Sequence, residues 1–454
     1  MLNQNKLRQL KQLINQFRKS PNSSAHIAIT IAMLAADLGI ADTALKFGEH
    51  SCAIKSNFVN LTNLATIYRD FGKLDEALSL LTRLKPSIKS LEELTAVLLI
   101  EASIFYRYDR LDQCHSLLCK VIEQAVDEPS ADARFARAQV ELSWRNPDGL
   151  IDYFYRTGNP VHRIGIPRSL HRDDVFHYYS KRGGDLFILA EQGLGDFFYF
   201  VQFLKAIYDA KIFDRIFLEV DERIPTRLLD LPSDIKTLPW NPRASRSAGD
   251  THAVGLGDLP LVSYLLGISA GFLNDIDFSP AKVLVSEFRQ SSQKTCGLSW
   301  ATANGRNRCS RNLNLESLIG CLQSVDVLKD ADFKNLQYST GFSDDSNDSK
   351  RFLGSDLFPI KETEIWLEAI QRCDLVVSND SSTAIVSGFF GIPTFMISPC
   401  RSTWFVGTRP EHRHFQSITK ITSVTPYASD FCKDELRKVM DFTFGTSHEN
   451  EDDC

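Results

Sequence analysis

The chain has no hydrophobic run of the roughly 20 residues that a membrane-spanning helix requires. Its first residues, Met1-Leu-Asn-Gln-Asn-Lys6, also lack the apolar core of a signal peptide. A basic excess is missing too, because the net charge is -6, whereas broad phosphate-binding surfaces need a basic balance. We therefore expect a cytoplasmic protein with no membrane span and no nucleic acid partner.

Cysteine pairs at metal-binding spacing are also absent. The 10 cysteines are spread from Cys52 to Cys454 without a Cys-x-x-Cys pair, so neither a zinc site nor a disulfide framework is indicated. Buried, reduced thiols are the expected state. The sequence Asp275-Ile-Asp277 has the Asp-x-Asp form of some metal-binding motifs, but it does not follow a predicted strand, so a chance match is the favoured interpretation. The sequence therefore predicts no metal site.

The first feature present is a repeat in the N-terminal third. Each copy has a small residue, a turn residue and a second small residue: Ala32, Gly39 and Ala44, then Ala65, Gly72 and Ala77, then Ala102, Asp109 and Cys114. Small residues at fixed places let two helices pack closely, and glycine permits a tight turn between them. The pattern resembles tetratricopeptide repeats (TPR) and predicts a helical solenoid over residues 1–150, with capping helices at 7–17 and 133–144. A generic helical bundle remains the alternative.

From about residue 180 the pattern changes to alternating strands and helices. Strands are predicted at 186–190, 215–220, 253–257, 296–300, 333–338, 374–378 and 394–398, with helices at 197–210, 364–372 and 383–390. A chain of 454 residues is too long for one core. We expect one α/β lobe at 151–285, with a crossover at 272–291, and a second lobe at 286–440. Residues 343–350 are expected to form a polar loop, and 441–454 a disordered acidic tail.

The loop Glu191-Gln-Gly-Leu-Gly-Asp196 follows the first predicted strand. Gly193 and Gly195 let the backbone approach a ligand, and the Asp196 carboxylate could accept a proton from a hydroxyl group. Asp196 could equally serve only as a helix cap. A dinucleotide site is disfavoured because Phe198 stands where that motif has its third glycine.

Two loops of the second lobe could bind an anion. Arg306, Arg308 and Arg311 follow the strand at 296–300, and guanidinium groups bind phosphate oxygens in bidentate fashion. A solvated basic loop is the alternative. Asp380, Ser381, Ser382 and Thr383 open a helix whose free N–H groups favour an anion, although an ordinary cap would use the same residues. Together the loops predict a nucleotide-diphosphate pocket.

These motifs occur in an order that resembles one family. They are Glu191–Asp196, Gly297-Leu-Ser-Trp300, Arg311-Asn-Leu-Asn-Leu315, Leu336-Gln-Tyr338, Val377-Ser-Asn-Asp-Ser-Ser-Thr-Ala384 and Gly391-Ile-Pro393. The set resembles bacterial TPR-linked glycosyltransferases of the heptosyltransferase-like group, similar to family nine. That resemblance implies a GT-B fold, in which two Rossmann-like α/β lobes bind the acceptor on the first lobe and the nucleotide sugar on the second.

The resemblance also implies roles for particular residues. Asp196 matches the general base, Arg311 the basic group at the diphosphate, and Asp380 with Ser381 the nucleotide-sugar loop. The complete nucleotide-sugar set would be Arg306, Arg308, Arg311, Gln337, Asp380, Ser381, Ser382 and Thr383. Two departures from the family pattern are clear, because Ile385 stands where a histidine is usual and Phe197 where a threonine is usual.

The expected activity is inverting, metal-independent transfer of a sugar to a protein or glycan hydroxyl. The nucleotide-diphosphate sugar is a co-substrate, and no cofactor is expected. A peptide acceptor would suit a TPR groove. Ile385 favours the alternative, in which the protein is a scaffold with a non-catalytic GT-B module.

Overall fold

The computed structural model describes residues 2–19, 24–124, 127–157, 159–190, 193–229, 231–240, 252–268, 294–302, 306, 308–339, 343–359, 362–402 and 414–444. Helices come first and two parallel sheets follow, which confirms the predicted order of a helical part and an α/β part. The described residues do not include the predicted crossover, the Asp275-Ile-Asp277 sequence or Glu191. The disordered tail predicted at 441–454 is wrong at its start, because a helix covers Lys433–Phe444, and residues 445–454 lie outside the described ranges.

The N-terminal helices form successive packed pairs. Their bounds are α1 Leu2–Lys19, α2 Ala25–Asp37, α3 Ala41–Ile54, α4 Phe58–Asp70, α5 Leu74–Leu84, α6 Leu91–Arg107, α7 Leu111–Gln124, α8 Asp127–Ser143, α9 Gly149–Tyr153 and α10 Arg172–Tyr179. The small residues of the repeat lie where paired helices meet, and Ala32, Ala65 and Ala77 are completely buried. Between the helices of each pair the chain turns through a residue with positive φ.

The positive φ at this turn explains how the third repeat can have Asp109 where the first two have glycine. Gly39 and Gly72 have φ of 70° and 78°, and Asp109 takes the same position with φ of 60°. Aspartate tolerates the left-handed region better than most residues, so it can replace glycine here. The third copy therefore keeps the backbone of the first two although its sequence match is weak.

The first sheet has strands β1 Asp185–Leu189, β2 Arg215–Val220, β3 Lys236–Pro239 and β4 His252–Gly255. All are parallel, in the order β3-β2-β1-β4. Its helices are α11 Leu194–Phe200, α12 Phe203–Asp209 and α13 Leu259–Leu265. The predicted single helix at 197–210 is wrong, because a turn at Val201 and Gln202 divides it into α11 and α12.

The second sheet has strands β5 Thr295–Ser299, β6 Asp332–Asn335, β7 Leu375–Asn379, β8 Thr394–Ser398 and β9 Ile418–Thr422. These are also parallel, in the order β6-β5-β7-β8-β9. Its helices are α14 Arg308–Arg311, α15 Leu315–Gln323, α16 Ser343–Leu353, α17 Thr363–Gln371, α18 Ser382–Phe389 and α19 Lys433–Phe444. The carboxyl ends of β5 and β7 carry the second set of predicted site residues.

The polar loop predicted at 343–350 is wrong, because α16 covers it. Serine, aspartate and asparagine are poor helix formers, which is why the sequence indicated a loop. Their charges, however, suit a helix dipole, since Asp344 and Asp345 lie in the first turn and Lys350 and Arg351 in the last.

One apolar cluster joins the parts of the molecule. It contains Leu142 of α8, Ile188 of β1, Phe198 of α11 and Ile385 of α18, all nearly or completely buried. The residues that follow α9, including Phe154 and Val161, belong to the same cluster. A separate cluster covers the other face of the second sheet. Among the described residues, no helix is both long and apolar enough to cross a bilayer.

Candidate functional site

Two helix starts face each other between the sheets. Helix α11 begins after β1 with Gly193 at its N-cap, and α18 begins after β7 with Ser381 at its N-cap. A Cβ added to Gly195 would lie 3.0 Å from Cα and 3.1 Å from Oγ of Ser382. A side chain at this position would require Ser382 to move by a few tenths of an ångström, so glycine suits the close approach. Gly195 therefore brings the start of α11 against the start of α18.

Asp196 lies in the first turn of α11 and is partly exposed. Its Oδ2 is 3.8 Å from the position that a Cβ on Gly193 would occupy. Gly193 in turn lines two cavities, one of about 580 Å³ between the sheets and one of about 270 Å³ beside β1. Asp196 itself lines neither cavity, but its carboxylate lies close to Gly193, which lines both, and its predicted role as a base stays a prediction.

The larger cavity has walls from both lobes. Gly193 and Arg223 come from the first lobe, whereas Tyr338, Trp366 and Ser382 come from the second. Burial raises the pKa of Tyr338, and the Ser382 hydroxyl hydrogen bonds to it. Hydrogen bonds from Arg223 lower the pKa of Asp221 although burial acts to raise it. Sequence reasoning missed Arg223 as a cavity residue, although it lies just beyond the predicted strand at 215–220. Tyr338 ends the predicted strand at 333–338 and belongs to the Leu336-Gln-Tyr338 motif, but it was given no role.

Two of the three predicted phosphate-binding arginines are paired with carboxylates. Arg306 contacts Asp37 at 2.8 Å and Asp70 at 2.7 Å, both on helices of the N-terminal region. These carboxylates raise the pKa of Arg306 although burial acts to lower it. Arg308 makes a bidentate pair with Asp345 of α16, at 2.7 and 2.8 Å. A phosphate would have to compete with these carboxylates.

Arg311 has a looser partner. Its Nη2 is 3.9 Å from Oδ2 of Asp380, which is an ion-pair distance but too long for a direct hydrogen bond. Asp380 is nearly buried and accepts a short hydrogen bond from the Ser402 hydroxyl. The structure therefore brings Arg311 and Asp380 together, and Arg311 borders an open cavity of about 590 Å³.

Gln337 and Thr383 are buried and hydrogen bond to the end of β5 and the residues that follow it. The Oε1 of Gln337 accepts hydrogen bonds from Ser299 Oγ at 3.1 Å, Trp300 N at 3.0 Å and Ala301 N at 2.8 Å. Thr383 donates to Ser299 Oγ at 3.1 Å, and both Gln337 and Thr383 are completely buried. This arrangement fixes the chain where it leaves β5, and the predicted ligand contact of these two residues stays a prediction.

Ser381 is the N-cap of α18, and Ile385 lies within that helix. The Ser381 hydroxyl hydrogen bonds to the Ser378 hydroxyl at 3.0 Å and does not cap the helix N–H groups. Ile385 is only 4% exposed and belongs to the apolar cluster that joins the lobes. No group of three or more His, Cys, Asp or Glu side chains within the described ranges is placed to hold a metal ion.

No protein-family model matches the chain, and no curated protein matches it. Among solved structures, the chain is similar to a glycosyl transferase family 9 protein from Veillonella parvula, with 12% identity, a TM-score of 0.41, and coverage of 59% of this chain and 98% of that one. An E. coli heptosyltransferase with ADP shows 11% identity and a TM-score of 0.39, covering 57% and 99%. A Thermobaculum terrenum O-GlcNAc transferase mutant shows 11% identity and a TM-score of 0.33, covering 99% and 87%. TM-scores this low do not establish a shared fold by themselves.

Proposed function

We propose that this protein is a glycosyltransferase that moves a sugar from a nucleotide-diphosphate sugar to an acceptor hydroxyl. The observation that carries the proposal is the contact of Gly195 with Ser382. It brings the start of α11, which carries Asp196, against the start of α18, and Gly193, Leu194 and Ser382 from these two starts line a shared cavity of about 580 Å³. Parallel α/β sheets bind ligands in such crevices at the carboxyl ends of their strands.

The proposed mechanism is a single displacement with inversion at the anomeric carbon. Asp196 takes the proton of the acceptor hydroxyl, whose oxygen then attacks the sugar from the first-lobe side. The diphosphate leaves on the second-lobe side, where Arg311 and the N–H groups at the start of α18 stabilise its charge. No residue in this scheme requires a metal ion. The acceptor is a protein or a glycan, and the helical pairs offer a surface for a peptide.

The test is a thermal-shift screen with nucleotide sugars, followed by an assay of sugar release to water or to candidate acceptors. A donor that binds only the folded protein raises the melting temperature. For that donor, Asp196→Asn should lower turnover by roughly 10² to 10⁴ and leave donor binding little changed. Asp209→Asn is the matched control, because Asp209 is exposed on α12 and pairs only with Lys205 in the described contacts. Equal turnover of wild type and Asp196→Asn would refute the role of Asp196.

A second candidate function is a non-catalytic nucleotide-sugar binder or scaffold. Ile385 supports it, because the resembled family has a histidine there and this chain buries an apolar side chain. Wild-type protein that binds a nucleotide sugar but neither transfers nor hydrolyses it would favour this candidate.

A further inference from the structure

The open cavity beside Arg311 lies between the N-terminal helices and the second sheet. Tyr106 and Arg107 of α6 and Gln139 of α8 form one wall, whereas Arg311, Arg401 and Ser402 form the other. None of the three helical residues was identified from the sequence, and neither was Arg401. The cavity encloses about 590 Å³, which includes space open to solvent.

The two walls are fastened to each other at three points. The Tyr106 hydroxyl donates to Ser402 O at 2.8 Å, and the Cys400 thiol donates to Arg107 O at 3.3 Å. Arg401 Nη2 lies 2.6 Å from Asp109 Oδ1. These contacts surround the cavity and hold the helical region at a fixed place on the second lobe. A ligand here would touch both parts of the chain.

Three guanidinium groups line the cavity, and each has a carboxylate partner at 2.6 to 3.9 Å. The Arg401 side chain is 5% exposed, and its Nε is buried without a hydrogen-bond partner among the described residues. Arg107 lies 3.7 Å from Asp70, but burial and the neighbouring Arg69 lower its pKa. Arg311 is 3.9 Å from Asp380. A buried donor without a partner costs free energy, and an anion that drew the Arg401 side chain toward the cavity would offset that cost.

We propose that the helical region completes a diphosphate-binding site, in which Arg401 and Arg107 bind the anion together with Arg311. Several guanidinium groups around one cavity suit an anion with several oxygens, because each guanidinium can make two parallel hydrogen bonds. That the anion is the diphosphate of a nucleotide sugar rests on the proposed function. Binding of inorganic pyrophosphate does not rest on it.

The test is calorimetric titration of the full-length chain with inorganic pyrophosphate. Arg401→Gln should weaken binding by about 10-fold or more, as expected for loss of a charge-assisted hydrogen bond. The matched control is Arg372→Gln, because the Arg372 side chain is 79% exposed and pairs only loosely with Glu368. That control should leave pyrophosphate affinity unchanged.

A second variant separates binding from folding. Asp109→Asn removes the carboxylate that competes for Arg401 but keeps a residue that tolerates a φ of 60°. It should tighten pyrophosphate binding several-fold, which damage to the fold would not do. No binding by the wild type at millimolar pyrophosphate, or affinities unchanged in both Arg401→Gln and Asp109→Asn, would overturn the inference. If pyrophosphate binds as expected but no nucleotide sugar does, the inference stands and the proposed function falls.

Discussion

The carboxylate of Asp258 ties the segment after α9 to the first sheet. Asp258 is 1% exposed and follows β4. It accepts hydrogen bonds from Arg156 Nη1 at 2.5 Å, the Tyr179 hydroxyl at 2.5 Å and Gly255 N at 3.1 Å. Arg156 is itself completely buried. Asp258→Ala therefore leaves a buried cation without its carboxylate.

The expected loss is large. Removing one partner of a buried ion pair costs about 3–5 kcal/mol, because the remaining charge stays desolvated. The Tyr179 hydroxyl and Gly255 N–H also lose their acceptor, at about 1–3 kcal/mol for each unsatisfied buried group, although these costs are not additive. We expect Asp258→Ala to lower the free energy of unfolding by at least about 4 kcal/mol. Adding Arg156→Met removes the unpaired charge and should recover about 2–3 kcal/mol.

The assay is hydrogen exchange followed by mass spectrometry at increasing urea, read on peptides that cover β4 and α10. Local exchange gives the free energy of opening of this region even where a chain of several parts does not unfold in two states. Asp174→Ala on α10 is the control, because Asp174 is exposed and should change stability by less than about 0.5 kcal/mol. A loss below about 1 kcal/mol for Asp258→Ala, or strictly additive effects of the two substitutions, would refute this reasoning.

Burial and the nearby charge of Lys181 lower the pKa of His252 to about 4 from its ordinary value of 6.5, so the unfolded chain binds the proton first. Stability should therefore fall as the pH drops from 6.5 to 4, by up to about 3 kcal/mol, and a pH series of thermal unfolding on His252→Phe should lack this loss. A fragment that starts near Leu170 lacks Arg156 and the part of the shared core that precedes it, so calorimetry should show no cooperative unfolding transition. A fragment that starts at residue 127 keeps both and should show one. Gln337→Leu leaves Trp300 N and Ala301 N without their acceptor and should destabilise by about 2 kcal/mol in thermal melts; an unchanged melting temperature would show that water replaces the side chain.

The sequence could predict what depends on local pattern. The repeat of small residues predicted the helix pairs, and short apolar runs predicted β2 and β8 to the residue. Strand β3 was missed because Lys236–Pro239 is short and largely exposed, so it carries no apolar run. Helix α16 was missed because its residue types favour loops while its charge order favours a helix.

In the candidate site, the loops could be predicted from the sequence, but the contacts between distant segments could not. The loops with Asp196, Arg311 and Asp380 were identified because each follows a predicted strand, and parallel strands end at one edge of a sheet. Contacts such as Tyr106 with Ser402 join residues far apart in sequence, and no local pattern predicts such a pairing. The partners of Arg306 on α2 and α4 were hidden for the same reason. Pairing between distant segments depends on the packing of the whole chain.

The contacts between the parts form a closed triangle. Arg137 of α8 pairs with Asp152, and Arg156 in the segment that follows pairs with Asp258 after β4, so this segment joins the helical region to the first sheet. The rings of Phe198 and Phe389 join the two lobes with their centroids 4.9 Å apart. The third side is made where the Tyr427 hydroxyl donates to the carbonyl of Gly72, so the second lobe returns to the helices. In a linear array, one lobe could swing about a single hinge without disturbing the third part. In this triangle any opening of the cleft must also shift or break a contact on another side, so the helices resist the separation of lobes to which they contribute no strand.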